Sequence, residues 1–185
     1  MRIGLHAGCG PIRYESHDDV VWYNMDIQED HKPDICGSVM ELQNNFQLEE
    51  LDFITSTHML EHLPWHEGVQ KFFAGAKKVL KPGGILRIVV PDLKKVATKY
   101  VNGEDLKDIY DGPYWMYQDQ PATRFMEFCR GWSHTILFDE QLLRSLADEA
   151  GFTDFKIMPF GVSAIPELCN RDRFFTESLS AEMKA

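Results

Sequence analysis

The chain has 185 residues, 44% of them hydrophobic, with 19 basic against 29 acidic side chains and a net charge of −10. That size and apolar content predict one domain with a full core and exclude a disordered chain. The acidic balance argues against nucleic acid as a partner, because affinity for a polyanion rests on Lys and Arg, and no apolar run approaches the ~20 residues of a membrane helix.

In chain order, Arg2 to Ala7 alternates as a buried strand and runs into Gly8-Cys9-Gly10. A strand entering G-x-G lets the backbone bend sharply and leaves no side chain between it and a ligand, although the same pattern occurs in ordinary turns. Residues 11–19 are polar and irregular. Val20 to Asp26 predicts a second strand ending in an acid, and the interval from Gly10 is too short for a normal crossover helix. A short third strand is expected at Asp34–Cys36, a mixed connection from Val39, and a fourth strand over Leu51–Thr57. From Glu67 the spacing of Val69, Phe72, Phe73, Ala76, Val79 and Leu80 predicts a helix ended by Pro82-Gly83-Gly84. Ile85–Val90 predicts a central strand closed by Pro91-Asp92.

Residues 93–132 interrupt this rhythm with aromatics that include Tyr114, Trp115, Tyr117 and Trp132, and suggest an insertion. Asp139 predicts an N-cap, with Gly151 stopping the helix. Phe155–Met158 and the alternating tail over 174–184 predict two more strands, the final one antiparallel. Strands alternating with helices imply a largely parallel sheet with helices on both faces and ligands beyond the carboxyl ends of its strands. Gly8–Gly10, Asp26, Ser56–His58 and Pro91-Asp92 should gather there. The four cysteines, Cys9, Cys36, Cys129 and Cys169, form no C-x-x-C pair, so no metal site is predicted. With no evident signal peptide they suit a reducing cytoplasm.

Leu5-His-Ala-Gly-Cys-Gly10, Asn24-Met-Asp26, the stretch DFITSTHMLEHL from Asp52 to Leu63, and Leu80 to Asp92 together resemble the class I S-adenosylmethionine-dependent methyltransferases, nearest the small type-11-like branch. The likeness continues from His134 to Phe152 and into the tail, leaving out about 93–131. It implies a Rossmann-like three-layer α/β sandwich, with a seven-stranded, mostly parallel sheet and an antiparallel final strand. It also implies S-adenosylmethionine as cofactor and S-adenosylhomocysteine as product. His6, Gly8, Cys9 and Gly10 would run along the methionine part and Asp26 would hold the ribose. Met25 or Ile27 would flank the adenine, the backbone at Ser38 and Val39 would meet its edge, and Thr57 and His58 would floor the sulfonium. Two positions depart from the family: His6 stands where an acid often binds the cofactor's ammonium, and Ser38 where an Asp meets the adenine.

Methyl transfer from a sulfonium is an in-line displacement, so alignment and exclusion of water do most of the work. A protonated oxygen or nitrogen acceptor also needs a base. The candidates are His58, His62 and His134, with Glu61 and Asp92 behind them; Glu61 and His62 could instead brace the loop after the fourth strand, and Asp92 could cap a helix. The expected acceptor is a small molecule, an O or N of a sugar or metabolite, with the insertion supplying its pocket; association of copies of the chain stays open. Two other readings compete. A nicotinamide-dependent oxidoreductase is disfavoured by Arg13 where the third glycine of G-x-G-x-x-G would stand. A non-catalytic cofactor-binding protein is kept open by His6 and Ser38.

Overall fold

The computed structural model describes residues 1–107, 109, 120–172 and 177–185. Seven strands form one sheet: β1 Arg2–Ala7, β2 Val20–Asp26, β3 Ile35–Cys36, β4 Leu51–Thr57, β5 Leu80–Pro91, β6 Thr153–Met158 and β7 Ser178–Lys184. Their order is β3-β2-β1-β4-β5-β7-β6, with β1 to β5 parallel and β7 antiparallel to both β5 and β6. The helices are α1 Gly68–Val79, α2 Leu93–Val101, α3 Pro121–Arg130 and α4 Glu140–Glu149.

Successive residues of a strand point to opposite faces, and here the two faces differ in chemistry. One carries Leu5, Ala7, Met25, Ile54, Leu86, Ile88, Ala181 and Met183. Against them pack Phe72, Phe73, Ala76 and Val79 of α1 and Leu143, Leu146 and Ala147 of α4. The predicted spacing of α1 therefore does what a period near 3.6 requires. Asp139 caps α4, accepting from the Leu142 N–H at 2.8 Å, and Gly151 follows the helix in the left-handed region, φ +81°.

The other face departs from the expectation of helices on both sides. Val20, Trp22 and Phe53 form its apolar part, covered by Tyr14 and by Ile165 and Leu168 at a short 3₁₀ turn, with no α-helix contributing among the described residues. The rest of it is polar and buried: His6, Asn24, Thr55, Arg87, Ser180 and Glu182 are all under a tenth exposed. Arg87 of β5 reaches Glu182 of β7 at 2.7 Å and both oxygens of Asp172 at 2.6 and 2.7 Å. Gly161 N–H and Ser180 Oγ–H donate to Asp172, and Ser163 Oγ–H and Ala164 N–H to Glu182. A sheet face this polar cannot bury an amphipathic helix, so hydrogen-bonding loop backbone covers it.

A second correction concerns α1's end. The helix stops at Val79, before Pro82, because Leu80 turns extended (ψ 140°) and pairs with Leu51. Pro82-Gly83-Gly84 then lies within β5, where the register shifts before Ile85 meets Phe53. The predicted insertion contains α2 and α3, joined by a small core of Val96, Leu106, Ile109 and Phe128. The tail strand begins at Ser178; Phe174 and Phe175 lie outside the described residues.

Candidate active site

The carboxyl ends of β1, β2 and β4 meet at one edge, as the sequence predicts. Gly8 and Gly10 both sit in the left-handed region, φ +69° and +55°, where a side chain is strained. Gly8 and Cys9 N–H donate to the Met25 carbonyl, tying the loop to the end of β2. Asp26 completes the link: its Oδ2 accepts from Gly10 N–H and its Oδ1 from Gln28 N–H, each at 2.8 Å. His31 Nδ1 stands 3.2 Å from Oδ1. No helix follows Gly10, so no helix N-terminus is there to seat a pyrophosphate, which removes the physical basis of the nicotinamide reading.

Around this hinge lies a cradle. A side chain at Gly10 would meet nothing within 4 Å, whereas one at Gly8 would meet Met59, whose Cγ would lie 2.1 Å from its Cβ. Ile27, beside Asp26, is 71% exposed, a free apolar face next to a fixed carboxylate. Gly37 N–H donates to the Asp26 carbonyl, placing Ser38 close by; the Ser38 hydroxyl accepts from Met40 N–H, while the Val39 side chain is buried in the core. A cavity of about 200 Å³ adjoins the loop, lined by His6, Cys9, Ile12, Tyr14, Thr57, Asn170 and Arg171. His6 stacks on Tyr14 at 4.1 Å and Arg171 lies 4.4 Å over the same ring. Burial and the neighbouring Asp26 push the Cys9 thiol up to about 11, so Cys9 lines the loop as a neutral thiol and not as a nucleophile. Open backbone at Gly10, an apolar surface at Ile27, and a carboxylate between them fit a nucleoside.

The histidines gather just beyond β4. His58 has φ +50°, a strained conformation for a non-glycine residue that a functional site can hold. Its Nε2 lies 2.8 Å from Ser178 Oγ of β7 and its Nδ1 3.3 Å from Glu61 Oε1. Glu61 is fully buried. Trp132 and Ser133, both left-handed, turn the chain so that Thr135 N–H donates to the Glu61 carbonyl. That seats His134 beside His62, with ring centroids 5.2 Å apart. The His134 pKa is lowered, chiefly by burial, although the bond from Nδ1 to the Phe128 carbonyl opposes the shift.

Residues 19–88 match a family described as a methyltransferase domain. That match spans 70 of the 185 residues and supports a methyltransferase of the S-adenosylmethionine-dependent class. S-adenosylmethionine is the methyl donor of this class and S-adenosylhomocysteine the product. No curated protein matches the chain. Among solved structures, the fold is similar to a SAM-dependent methyltransferase from Archaeoglobus fulgidus, with TM-score 0.60 and 17% identity over 100% of this chain and 86% of that one. It is also similar to one from Mesorhizobium loti, with TM-score 0.54 and 16% identity over 100% and 90%. A phosphoethanolamine N-methyltransferase 2 from Haemonchus contortus, solved with S-adenosyl-L-methionine, gives TM-score 0.55 and 12% identity over 100% of this chain, which spans 48% of that one.

In this methyltransferase the family match begins at residue 19, so the Gly8–Gly10 loop stands on geometry alone. Asp92 is a helix cap, accepting from Lys95 N–H at 3.0 Å. Within the insertion, Phe125 and Phe128 pack in the small core, Tyr100 stacks on Phe125, and Trp132 is 66% exposed. Tyr114, Trp115 and Tyr117 lie outside the described residues. Met59, Tyr14, Asn170, Arg171 and Ser178 escaped the sequence reading. Only Met59 carried a signal, since it lies between two motif residues, Thr57 and Leu60; the others come from irregular chain or from a strand more than a hundred residues away.

Proposed function

We propose that this methyltransferase acts on a small-molecule acceptor bearing a protonated oxygen or nitrogen, bound at the edge where His58, His62 and His134 meet. The observation that carries this reading is His58, held in a strained turn at the end of β4 between a buried carboxylate and a hydroxyl. Glu61 at Nδ1 orients the imidazole and stabilises the imidazolium that forms on proton uptake, leaving Nε2 to face a hydroxyl. Ser178 Oγ occupies the position an acceptor hydroxyl would take, or relays its proton. Asp26 accepts from the ribose hydroxyls while its bonds to Gly10 and Gln28 hold the loop in place. Thr57 and the Gly10 backbone border the methionine part. The bound cofactor supplies the electrophilic methyl; the chain aligns the acceptor with it and excludes water. The insertion at about 93–132 supplies the acceptor side of a single domain, and an acidic surface favours a metabolite over a nucleic acid.

The test is a panel of hydroxylated and amino metabolites with S-adenosylhomocysteine release as readout. His58→Gln should lower turnover about 10²-fold or more, the scale for losing a general base, with S-adenosylhomocysteine affinity unchanged. Equal turnover in that variant removes His58 from the chemistry.

A further inference from the structure

Glu61 is a carboxylate buried without a hydrogen bond. It is 0% exposed, and neither carboxylate oxygen accepts a hydrogen bond. A buried carboxylate is retained only when it is paired, protonated or ligating. Its surroundings are imidazoles: His58 Nδ1 at 3.3 Å and His62 Nε2 at 4.0 Å from Oε1. His134, 73 positions beyond Glu61 in the chain, joins them, and the donor atoms of Glu61, His62 and His134 all lie within 4.8 Å of one another.

The hydrogen bonds assign the donors. A carbonyl only accepts, so the 2.9 Å contact between His134 Nδ1 and the Phe128 carbonyl places the proton on Nδ1. The lone pair is then on Nε2. A ring nitrogen fixed by a backbone carbonyl, with the other nitrogen bare, is the arrangement of metal-bound histidine. His62, exposed to solvent, gives an ion a way in.

We propose that Glu61, His62 and His134 bind a divalent first-row transition ion of the zinc class. Two imidazoles and one carboxylate favour such an ion over Mg²⁺ or Ca²⁺, which take mostly oxygen ligands. Donors about 2 Å from a shared ion stand roughly 3–3.5 Å apart, so side-chain rotation must bring the most distant pair together by about 1.5 Å. The carboxylate has two oxygens, enough to serve His58 and the ion. Three protein ligands leave a position open. Glu61 also stands 3.3 Å from His58 Nδ1, so an acceptor oxygen taking the open position would bind the ion close to the base and lose its proton more readily; this last step rests on the methyl-transfer reading, and the metal site does not.

The experiment is titration calorimetry of the chelator-treated full chain with Zn²⁺, and with Mg²⁺ as control, followed by the Co²⁺ absorption spectrum. One Zn²⁺ per chain is expected, with Mg²⁺ silent and a Co²⁺ spectrum of mixed nitrogen and oxygen ligation. His62→Ala and His134→Ala should each weaken Zn²⁺ by more than about tenfold, the least expected for a lost ligand. His66→Ala, exposed on the neighbouring turn, should bind as the parent does. Glu61→Gln should behave as the ligand variants; if it fails to fold, His62→Ala at the surface decides. No stoichiometric Zn²⁺ uptake, or uptake equal in His62→Ala and His134→Ala, overturns the site and leaves a His58–Glu61 ion pair. S-adenosylhomocysteine binding is measured on the same samples. Its absence counts against the methyltransferase reading without touching the metal site, and turnover indifferent to chelation overturns only the acceptor step.

Discussion

On one face of the sheet Leu5, Ile54, Leu86 and Ile88 meet the apolar sides of α1 and α4; on the other, Arg87, Glu182 and Asp172 meet loop backbone and one another. The first face is held by non-directional burial, which tolerates exchange of one apolar group for another. The second is held by directed bonds, which fail when one partner is lost. The candidate cofactor cavity opens on the second face: His6 and Thr57 point to it by strand alternation, as does Asp26, and its outer wall is loop chain carrying Tyr14 and Arg171. A face covered by loop among the described residues leaves room for a ligand and supplies polar groups to bind it, at the cost of depending on every bond.

The largest expected effect breaks the second face. Arg87→Ala leaves two buried carboxylates without their cation and should cost about 3–5 kcal/mol in urea unfolding, whereas a loss as small as that of Ile88→Val would erase the distinction between the faces. Asp26→Ala sharpens it at the ligand. S-adenosylhomocysteine affinity should fall by roughly 1.5–3 kcal/mol, the scale of bonds to a charged acceptor, in a chain that calorimetry shows still folded; unchanged affinity would detach the cofactor from this face. On the helical side, Asp139→Ala removes the α4 cap and should destabilise by about 1 kcal/mol, read as a lower urea midpoint. Ile88→Val, one methyl in the apolar layer, should cost about 0.5–1.5 kcal/mol, and a value near that of Arg87→Ala would show the apolar face to be as exacting as the polar one.

At Gly8→Val the new side chain meets Met59, which already occupies its place, and φ is positive. It should therefore damage the fold of the loop, even without ligand.

Strand β1 running into Gly8, Asp26 ending β2, the apolar period of α1 and the Asp139–Gly151 bracket of α4 are legible along the chain, because each is a contact or a conformation within a few residues. Helix and strand periods, caps and left-handed glycines are local properties, and the tertiary structure kept them. The partners of polar groups are not local. Arg87 finds Asp172 and Glu182 far along the chain, Tyr14 finds Arg171, and Glu61 finds His134. Nothing in the spacing of those residues marks the pairing, since each is an ordinary polar residue until the sheet order sets β5 beside β7 and the loops close over it. The sequence alone determined most of the elements and the edge at which the carboxyl ends of β1, β2 and β4 gather. Only the tertiary structure decided that one face would be polar, because burial of a charge is favourable only once a specific partner, brought by packing, is there to meet it.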